Sequence, residues 1–355
     1  MVKRVCLVSS GTGGHLMPAL ALAARLRERG HETTLVTEGR GVEEALLQRS
    51  GLTAEALNVG GRGPALVWRV LRAAKRARKL LEDQRIDLVV GTGGKTSVPV
   101  AMAARMLSLP ICLLEQNATT GRCNRWLAPF ARRIYLGLPQ EKPLPRALVT
   151  GTPLRMGIGS VSKEAGRQML SLSPTLPTIL VMGGSQGATV LNELVPRALA
   201  GIGTPLQVLH LSGNGQDDAV RLRYDAGVPR GLVAHVRPLV KDMAHWYAAA
   251  DLVICRGGGC TVAELMAAGR PAIVVPYPHH RDRQQYWNGL VLERGGAGLV
   301  IEQKDLREDS LQDLVSSWLA RPDQLVAMGE ASKRLAPVDP CGSILEDLRV
   351  VAALN

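Results

Sequence analysis

Aromatic side chains are scarce in this chain of 355 residues: one Phe, five Tyr and five Trp make up 3%. No cluster of them is available to stack bases, so a nucleic-acid partner is not expected. The six cysteines (Cys6, Cys112, Cys123, Cys255, Cys260 and Cys341) form no C-x-x-C pair, and the seven histidines stand at no zinc-site spacing from them. They read as reduced thiols in a cytosolic protein, several buried as small hydrophobes, and no metal site is expected. No run of about 18 apolar residues occurs, so no segment is expected to span a bilayer. Met1-Val2-Lys3-Arg4 is basic, but the apolar run after it is too short for a secretory signal. Gly and Pro, 38 and 21 residues, amount to about 17%, below the level of collagen-like or low-complexity chains. What is left is ordinary globular composition, 46% apolar and 21% charged. That is too apolar for disorder and long enough, at roughly 150 residues per domain, for about two domains.

Acidic residues are short only in the first part of the chain. The net charge is +12, from 43 Lys and Arg against 31 Asp and Glu. Residues 1–150 hold 23 basic and 11 acidic side chains, whereas residues 151–355 hold 20 of each. The whole excess thus lies in the first part, which points to a polyanionic partner there: nucleic acid, an anionic membrane or a phosphorylated substrate.

Short apolar runs alternate with Ala/Leu-rich helical stretches, the pattern of an α/β chain with parallel sheets covered on both faces. Val5-Cys6-Leu7-Val8 runs into Gly11-Thr12-Gly13-Gly14-His15 and a helix over 18–26. Asp87-Leu88-Val89-Val90 runs into Gly91-Thr92-Gly93-Gly94-Lys95 and a second such helix. Both units read G-T-G-G and place A-x-A-A-R at the same offset, ending at Arg25 and Arg105. A third unit runs from 178–182 through Gly183-Gly184-Ser185-Gln186-Gly187 to a helix over 188–198. A fourth runs from 252–255 through Arg256-Gly257-Gly258-Gly259-Cys260 to a helix over 261–268. Residues 157–177, rich in Gly, Ser and Pro, read as a linker. Two α/β domains follow, 1–157 and 158–335, with ligands expected at the carboxyl ends of strands and in the cleft between the domains.

A glycine loop between strand and helix offers backbone N–H groups at a positive helix terminus, a ready anion site. Four such loops point to phosphate or pyrophosphate, although one or more can serve only tight strand–helix packing. Gly94-Lys95-Thr96 ends like a P-loop, but Val89 stands where its first glycine belongs. Gly11-Thr12-Gly13-Gly14-His15-Leu16 fails the dinucleotide fingerprint at its last position, although Glu38 stands where a ribose-binding acid would.

With the loops in order, further motifs fall into place: Glu115-Gln116-Asn117, Gly151-Thr152-Pro153-Leu154-Arg155, Thr261-Val262-x-Glu264 after Arg256, and Asp282-Arg283-Gln284-Gln285-Tyr286-Trp287-Asn288. From about residue 5 to residue 300 the chain resembles the MurG-type bacterial N-acetylglucosaminyltransferases. The resemblance implies a GT-B fold, two Rossmann-like domains, and inversion at the anomeric carbon without a metal or other cofactor. It implies UDP-N-acetylglucosamine as donor and undecaprenyl-pyrophosphoryl-N-acetylmuramyl-pentapeptide (lipid I) as acceptor. It also implies a last helix, about 336–355, returning to the first domain. No D-x-D motif for holding Mg²⁺ on a nucleotide-sugar occurs in the chain, which fits a metal-free reaction.

The resemblance also assigns residues. Gly183-Gly184-Ser185 and the loop before Thr261, with Gly259, Cys260, Val262 and Ala263, are expected at the departing UDP, where backbone donors stabilise growing negative charge. Glu264 either completes a capping box with Thr261 or accepts both ribose hydroxyls. Arg256 and the backbone around Val240 fall at uracil-binding positions, and Arg155 at the donor-binding arginine. Gln284 and Gln285 fall at the pair that reads the N-acetylglucosamine ring. His15 is the catalytic candidate, as base for the muramyl C4 hydroxyl or as positioner of the acceptor pyrophosphate, with a helix-capping bond as the plain alternative. Asn117 is expected near donor sugar and acceptor, and Glu115 is a rival base. Thr12, Gly13 and Gly14 are expected at the substrates, with Gly93, Gly94 and Lys95 at the acceptor phosphates. Two departures fall in the acceptor domain: Leu114 precedes Glu115-Gln116-Asn117 where His is frequent, and Lys95-Thr96 replaces Tyr-Val.

Residues 65–82 contain six basic side chains and one acidic. Leu66, Val67, Val70, Leu71, Ala74 and Ala77 recur at helical spacing beside Trp68, with Arg69, Arg72, Lys75 and Arg76 between them. A basic amphipathic helix with a tryptophan suits an anionic membrane surface, here the cytoplasmic face of the inner membrane, and proteins of cell-wall and division complexes are further expected partners. Other readings stay open: a transferase for another glycolipid, a UDP-N-acetylglucosamine epimerase, a UDP-sugar-binding protein without turnover, and, with less support, an NAD(P) oxidoreductase.

Overall fold

A computed structural model describes residues 3–10, 13–39, 41, 43, 47, 53–61, 65–226 and 231–353. Gly11 and Thr12 of the first glycine loop lie outside the described residues. The chain forms two compact units, Met1–Arg155 with Pro337–Asn355, and Met156–Ala336.

The first unit holds strands β1 (Arg4–Val8), β2 (Glu32–Thr37), β3 (Ala54–Ala56), β4 (Leu88–Gly91), β5 (Ile111–Glu115), β6 (Arg133–Leu136) and β7 (Ala147–Val149). Every pairing among them is parallel, in the order β3-β2-β1-β4-β5-β6-β7. The chain winds outward from β1 through β2 and β3, then crosses to β4 on the other side. That reversal opens a crevice at the carboxyl ends of β1 and β4. Helices α1 (Gly13–Glu28), α2 (Ala65–Asp83), α3 (Ser97–Met106), α4 (Arg122–Leu127) and, from the end of the chain, α13 (Pro340–Val351) cover the sheet. The period of two sorts the strand residues. Val5, Leu7, Cys112, Leu114 and Tyr135 pack with Leu16 and Leu22 of α1 and Ile344 and Leu348 of α13. Cys6, Val8, Leu113 and Leu136 pack on the opposite face with Ala73, Ala77 and Leu81 of α2. Each fully buried Leu or Val contributes about 1.5–3 kcal/mol relative to exposure. All six cysteines are free, and burial pushes the thiols of Cys6, Cys112 and Cys255 up to about 12, so these three are inert packing groups.

Three polar contacts latch α13 to this unit. Arg133 Nε donates to Asp347 Oδ2 at 2.8 Å, buried Tyr135 Oη donates to the same oxygen at 2.9 Å, and Arg132 reaches the Val351 carbonyl at 2.9 Å. Asp347→Ala strands a buried phenol and a half-buried guanidinium. It is expected to cost about 2–3 kcal/mol in a urea unfolding curve, and a loss under 0.5 kcal/mol would show that the latch is ornamental.

The second unit repeats the winding with β8 (Thr178–Met182), β9 (Leu206–Leu211), β10 (Leu232–Arg237), β11 (Leu252–Cys255), β12 (Ala272–Val274) and β13 (Gly298–Val300), all parallel, in the order β10-β9-β8-β11-β12-β13. Its crevice opens at the carboxyl ends of β8 and β11. The helices are α5 (Lys163–Met169), α6 (Thr189–Ala200), α7 (Asp217–Ala226), α8 (Met243–Ala249), α9 (Gly259–Ala268), α10 (Gln284–Arg294), α11 (Glu308–Leu319) and α12 (Pro322–Leu335).

Several local expectations are corrected. The stretch 157–177 is no bare linker: Ser162 caps α5 by accepting from Ala165 N at 3.1 Å, and buried Arg167 of α5 pairs with Asp251 at 2.7 Å. Helix α1 starts at Gly13 and carries Pro18 inside it; so near the N-terminus the missing N–H costs a single backbone bond. Helix α9 starts at Gly259, two residues early, because Gly258 in extended conformation serves as its N-cap. On α2, Val67 and Leu71 stand on the exposed face. They are 62% and 46% exposed beside Trp68 at 77%, while Ala73, Ala74, Ala77 and Leu81 face the sheet.

Candidate functional site

In the first unit, β1 and β4 run side by side to Val8 and Gly91, so the loops after them meet. Gly93 and Gly94 take φ of +103° and +84°, and a Cβ on Gly94 would collide with the Ser10 side chain. Thr92 ties the loops together, its Oγ1 lying 3.1 Å from Val8 O and 2.9 Å from His15 O.

His15, in the first turn of α1, is fixed from one side. Its Nδ1 lies 2.8 Å from Thr92 O and 3.2 Å from Gln116 Oε1. The Gln116 amide is oriented by its Nε2, which donates to Thr92 O at 3.0 Å, so its oxygen faces the imidazole. Both neighbours of Nδ1 are acceptors, so Nδ1 carries the hydrogen and the neutral ring keeps a lone pair on Nε2. The plain capping alternative for His15 is set aside: its partners lie 77 and 101 residues away, beyond β4 and β5.

Glu115, only 2% exposed at the end of β5, is a correction. Its Oε1 accepts from Asn117 N at 3.1 Å and Asn117 Nδ2 at 2.9 Å, and its Oε2 from Gly121 N at 2.8 Å and Asn124 Nδ2 at 2.9 Å. Four protein donors fill the carboxylate's acceptor positions. It therefore holds Asn117 in place and has no room to act as a rival base. Gln140 Nε2 fixes the Asn117 carbonyl at 3.0 Å. Glu38 is also committed, accepting from Thr96 Oγ1 at 2.7 Å and Gly60 N at 2.5 Å, which removes the ribose-binding acid of the oxidoreductase reading. Exposed Lys95 donates to Gly61 O at 3.2 Å. Gly13 and Gly14 open α1, Arg155 is half-buried as the last residue before the second unit, and Thr12 is outside the described residues.

In the second unit, Gly183–Ala188 follows β8 and Arg256–Gly258 follows β11. Gly187, at φ +75°, closes a turn by donating to Gly184 O at 2.9 Å, and a Cβ there would strike Ser212 O. Ser185 sits half-buried in this loop. Gly259, Cys260 and Thr261 form the first turn of α9. Val262 and Ala263 follow that turn: both are buried, and Val262 N donates to Gly258 O at 2.9 Å.

Glu264 is the sixth residue of α9, in its second turn, so the capping box does not form. Its carboxylate is 5% exposed and accepts from Tyr247 Oη on α8 at 3.0 Å. Arg256 follows β11 and is half-buried. Its guanidinium donates to Val275 O at 3.0 Å, Pro276 O at 2.9 Å and Gln303 Oε1 at 2.7 Å, which braces the segment after β12. Half-buried Val240 follows β10. Gln284 and Gln285 open α10, and Gln285 Oε1 accepts from Tyr277 N at 2.9 Å, which directs its amide hydrogens elsewhere. Buried Asn288 donates to Gly257 O at 2.9 Å, locking α10 onto the loop after β11. Arg283 enters α10 at φ +50°, its guanidinium stacked 4.0 Å from the Tyr286 ring centroid.

Thr92, Asn124 and Tyr247 carry site geometry without having been singled out. Gln116 stood inside a quoted motif, but only the fold shows that its amide sets the His15 tautomer. Tyr247 sits in no motif, and its link to Glu264 exists only through the packing of α8 on α9.

Two doubly wound parallel units with glycine loops at both switch points define the GT-B fold. Residues 5–136 match the glycosyltransferase family 28 N-terminal domain and residues 178–339 its C-terminal domain, and the chain belongs to glycosyltransferase family 28. It is 40% identical over 346 residues to a protein of Halorhodospira halophila named UDP-N-acetylglucosamine--N-acetylmuramyl-(pentapeptide) pyrophosphoryl-undecaprenol N-acetylglucosamine transferase, covering 95% of each chain. Among solved structures it is similar to MurG of Acinetobacter baumannii, with a TM-score of 0.83, 30% identity, and 98% and 99% of the two chains covered. A UDP-GlcNAc 2-epimerase of Neisseria meningitidis shares the fold at a TM-score of 0.70 and 12% identity, covering 97% and 99% of the two chains.

Proposed function

We infer that the chain is an inverting transferase that moves N-acetylglucosamine from UDP-N-acetylglucosamine to the C4 hydroxyl of lipid I, giving lipid II and UDP in peptidoglycan synthesis. The observation that carries this reading is the nearly full-length likeness to transferases of that name. The second unit supplies the donor chemistry. Its two glycine loops offer N–H groups to the charge that grows on departing UDP, which makes a bound cation unnecessary. Glu264 accepts from the ribose hydroxyls, and Gln284 and Gln285 address the sugar. The first unit supplies the acceptor chemistry. His15 Nε2 takes the C4 hydroxyl proton as that oxygen attacks the anomeric carbon, and the imidazolium that forms keeps its Nδ1–H on Thr92 and Gln116. Asn117, clamped by Glu115, orients the reacting sugar. Gly93, Gly94 and Lys95 face the acceptor phosphates.

The acceptor is a lipid, so the protein works at the cytoplasmic face of the inner membrane, where cell-wall and division complexes assemble. No helix among the described residues is long and apolar enough to cross a membrane. Contact is made by the exposed face of α2, where Val67, Trp68 and Leu71 stand among Arg72, Lys75 and further basic residues. At about 1 kcal/mol per basic side chain, the pair Arg72→Glu and Lys75→Glu is expected to weaken binding to phosphatidylglycerol vesicles at least about 30-fold. Unchanged co-sedimentation would remove α2 from the membrane surface.

The test of the activity is UDP release from UDP-N-acetylglucosamine in EDTA, with and without a lipid I analogue. Acceptor-dependent release in EDTA is the expected result. Release without acceptor would move the reading to an epimerase or hydrolase, and a need for metal would overturn the charge-stabilising role of the loops.

A further inference from the structure

Behind the Gly183–Ala188 loop runs a hydrogen-bond chain that the proposed chemistry does not use. Gln216 Nε2 donates to the Gln186 carbonyl, inside the loop, at 3.1 Å. Its Oε1 accepts from Asn192 Nδ2 at 2.7 Å, and the same Nδ2 donates to Ser212 O at 2.8 Å. Asn192 Oδ1 lies 3.0 Å from His210 Nε2, and His210 Nδ1 lies 2.9 Å from Tyr224 Oη. Asn192, His210 and Tyr224 are buried among Leu191, Val195, Val208 and Val220.

Only one set of donors satisfies every link. A carbonyl at Gln186 requires the nitrogen end of Gln216, which turns its oxygen to Asn192. Two acceptors around Asn192 Nδ2 turn the Asn192 oxygen to His210. His210 must then carry its hydrogen on Nε2 and accept the Tyr224 hydroxyl hydrogen on Nδ1. Burial pushes the His210 imidazole down to about 3, so the neutral ring this arrangement needs persists at physiological pH. Aligned links of this kind strengthen one another in a low-dielectric core. Apolar residues would fill the same core without the cost of desolvating four polar side chains, and the chain ends on a single loop peptide.

We propose that Gln216, held by Asn192, His210 and Tyr224, is the positioning residue of the loop that binds the nucleotide diphosphate. It draws the Gln186 carbonyl away from the anion side, so that the loop presents N–H groups and no carbonyl there. The Ser212–Gly213 segment completes the mould, since a Cβ on Gly213 would strike Gly187 N. The proposal rests on the reading that Gly183-Gly184-Ser185 holds the diphosphate of UDP.

Gln216 is only half-buried, so its variants are expected to fold. UDP affinity by calorimetry, the KM of each substrate and the thermal midpoint test the proposal in the full chain. Gln216→Leu keeps the shape and removes both amide links. It is expected to raise the Kd of UDP and the KM of UDP-N-acetylglucosamine about tenfold with the acceptor KM unchanged, and to lower the thermal midpoint slightly, because buried Asn192 Nδ2 loses the Gln216 acceptor and keeps Ser212 O. Gln216→Glu sets a carboxylate against the Gln186 carbonyl and is expected to weaken UDP further. Wild-type UDP affinity in Gln216→Leu overturns the proposal, as does an equal loss for both substrates with a lowered midpoint. Failure of the unsubstituted protein to bind UDP overturns the underlying reading of the loop before any substitution is made.

Discussion

Replacing His15 by alanine is expected to lower kcat by roughly 10²- to 10⁴-fold, the usual contribution of a positioned general base, while the KM for UDP-N-acetylglucosamine changes little. The expectation comes from the hydrogen bonds on one side of the ring. Thr92 O and Gln116 Oε1 both require a hydrogen on Nδ1, which leaves Nε2 as a base with its lone pair directed and its tautomer fixed. Gln116→Leu keeps the imidazole but removes one of the two acceptors, so a smaller loss, about tenfold, is expected. Imidazole added to the His15→Ala protein separates two roles. Partial recovery of kcat identifies a base, whereas a ring that only positions pyrophosphate is not replaced by a freely diffusing one. A kcat within a few fold of wild type in His15→Ala would end the assignment.

The second large effect belongs to Glu264. Two hydrogen bonds that a buried carboxylate accepts from ribose hydroxyls are worth about 1.5–3 kcal/mol each, so Glu264→Ala is expected to raise the donor KM by about 10²-fold or more. Tyr247 Oη loses its acceptor in the same variant, at a stability cost of about 1–3 kcal/mol that a thermal scan reads separately. A 2′-deoxyribose donor distinguishes ribose contact from indirect damage. Wild type should discriminate against it and Glu264→Ala should not, because the two losses remove one interaction. Equal discrimination by both proteins would return Glu264 to a purely structural role with Tyr247.

What can be read from the residues is what a repeating pattern marks, and what cannot is which partner a single side chain takes. The runs at 178–182 and 252–255 fold as the strands they suggest, because a continuous apolar run ending in glycine has few other uses in an α/β chain. The loops around His15 are legible as strand–helix connections for the same reason. The rest depends on side-chain partners that no pattern in the residues marks, whether they stand near in the chain or far. Glu115 looks like a candidate base until the Asn117, Gly121 and Asn124 donors close around it. Arg256, matched to a uracil-binding position, also donates to the carbonyls of Val275 and Pro276, bonds that no pattern in the residues marks. The start of α9 was misjudged because glycine, unlike Ser or Asp, leaves no side-chain mark as an N-cap.

The return of α13 to the first unit has a consequence for synthesis on the ribosome. Leu16 and Leu22 gain their full cover only when Ile344 and Leu348 arrive, and Met156–Ala336 must be made in between. At about 5–20 residues per second, those residues impose a wait of roughly 10–40 s. During that interval one face of the nascent first unit is unfinished, while the second unit has its whole sequence in a single uninterrupted stretch. The part of the protein that is translated first is thus the part completed last, and a nascent chain arrested before residue 340 would expose an apolar patch to chaperones.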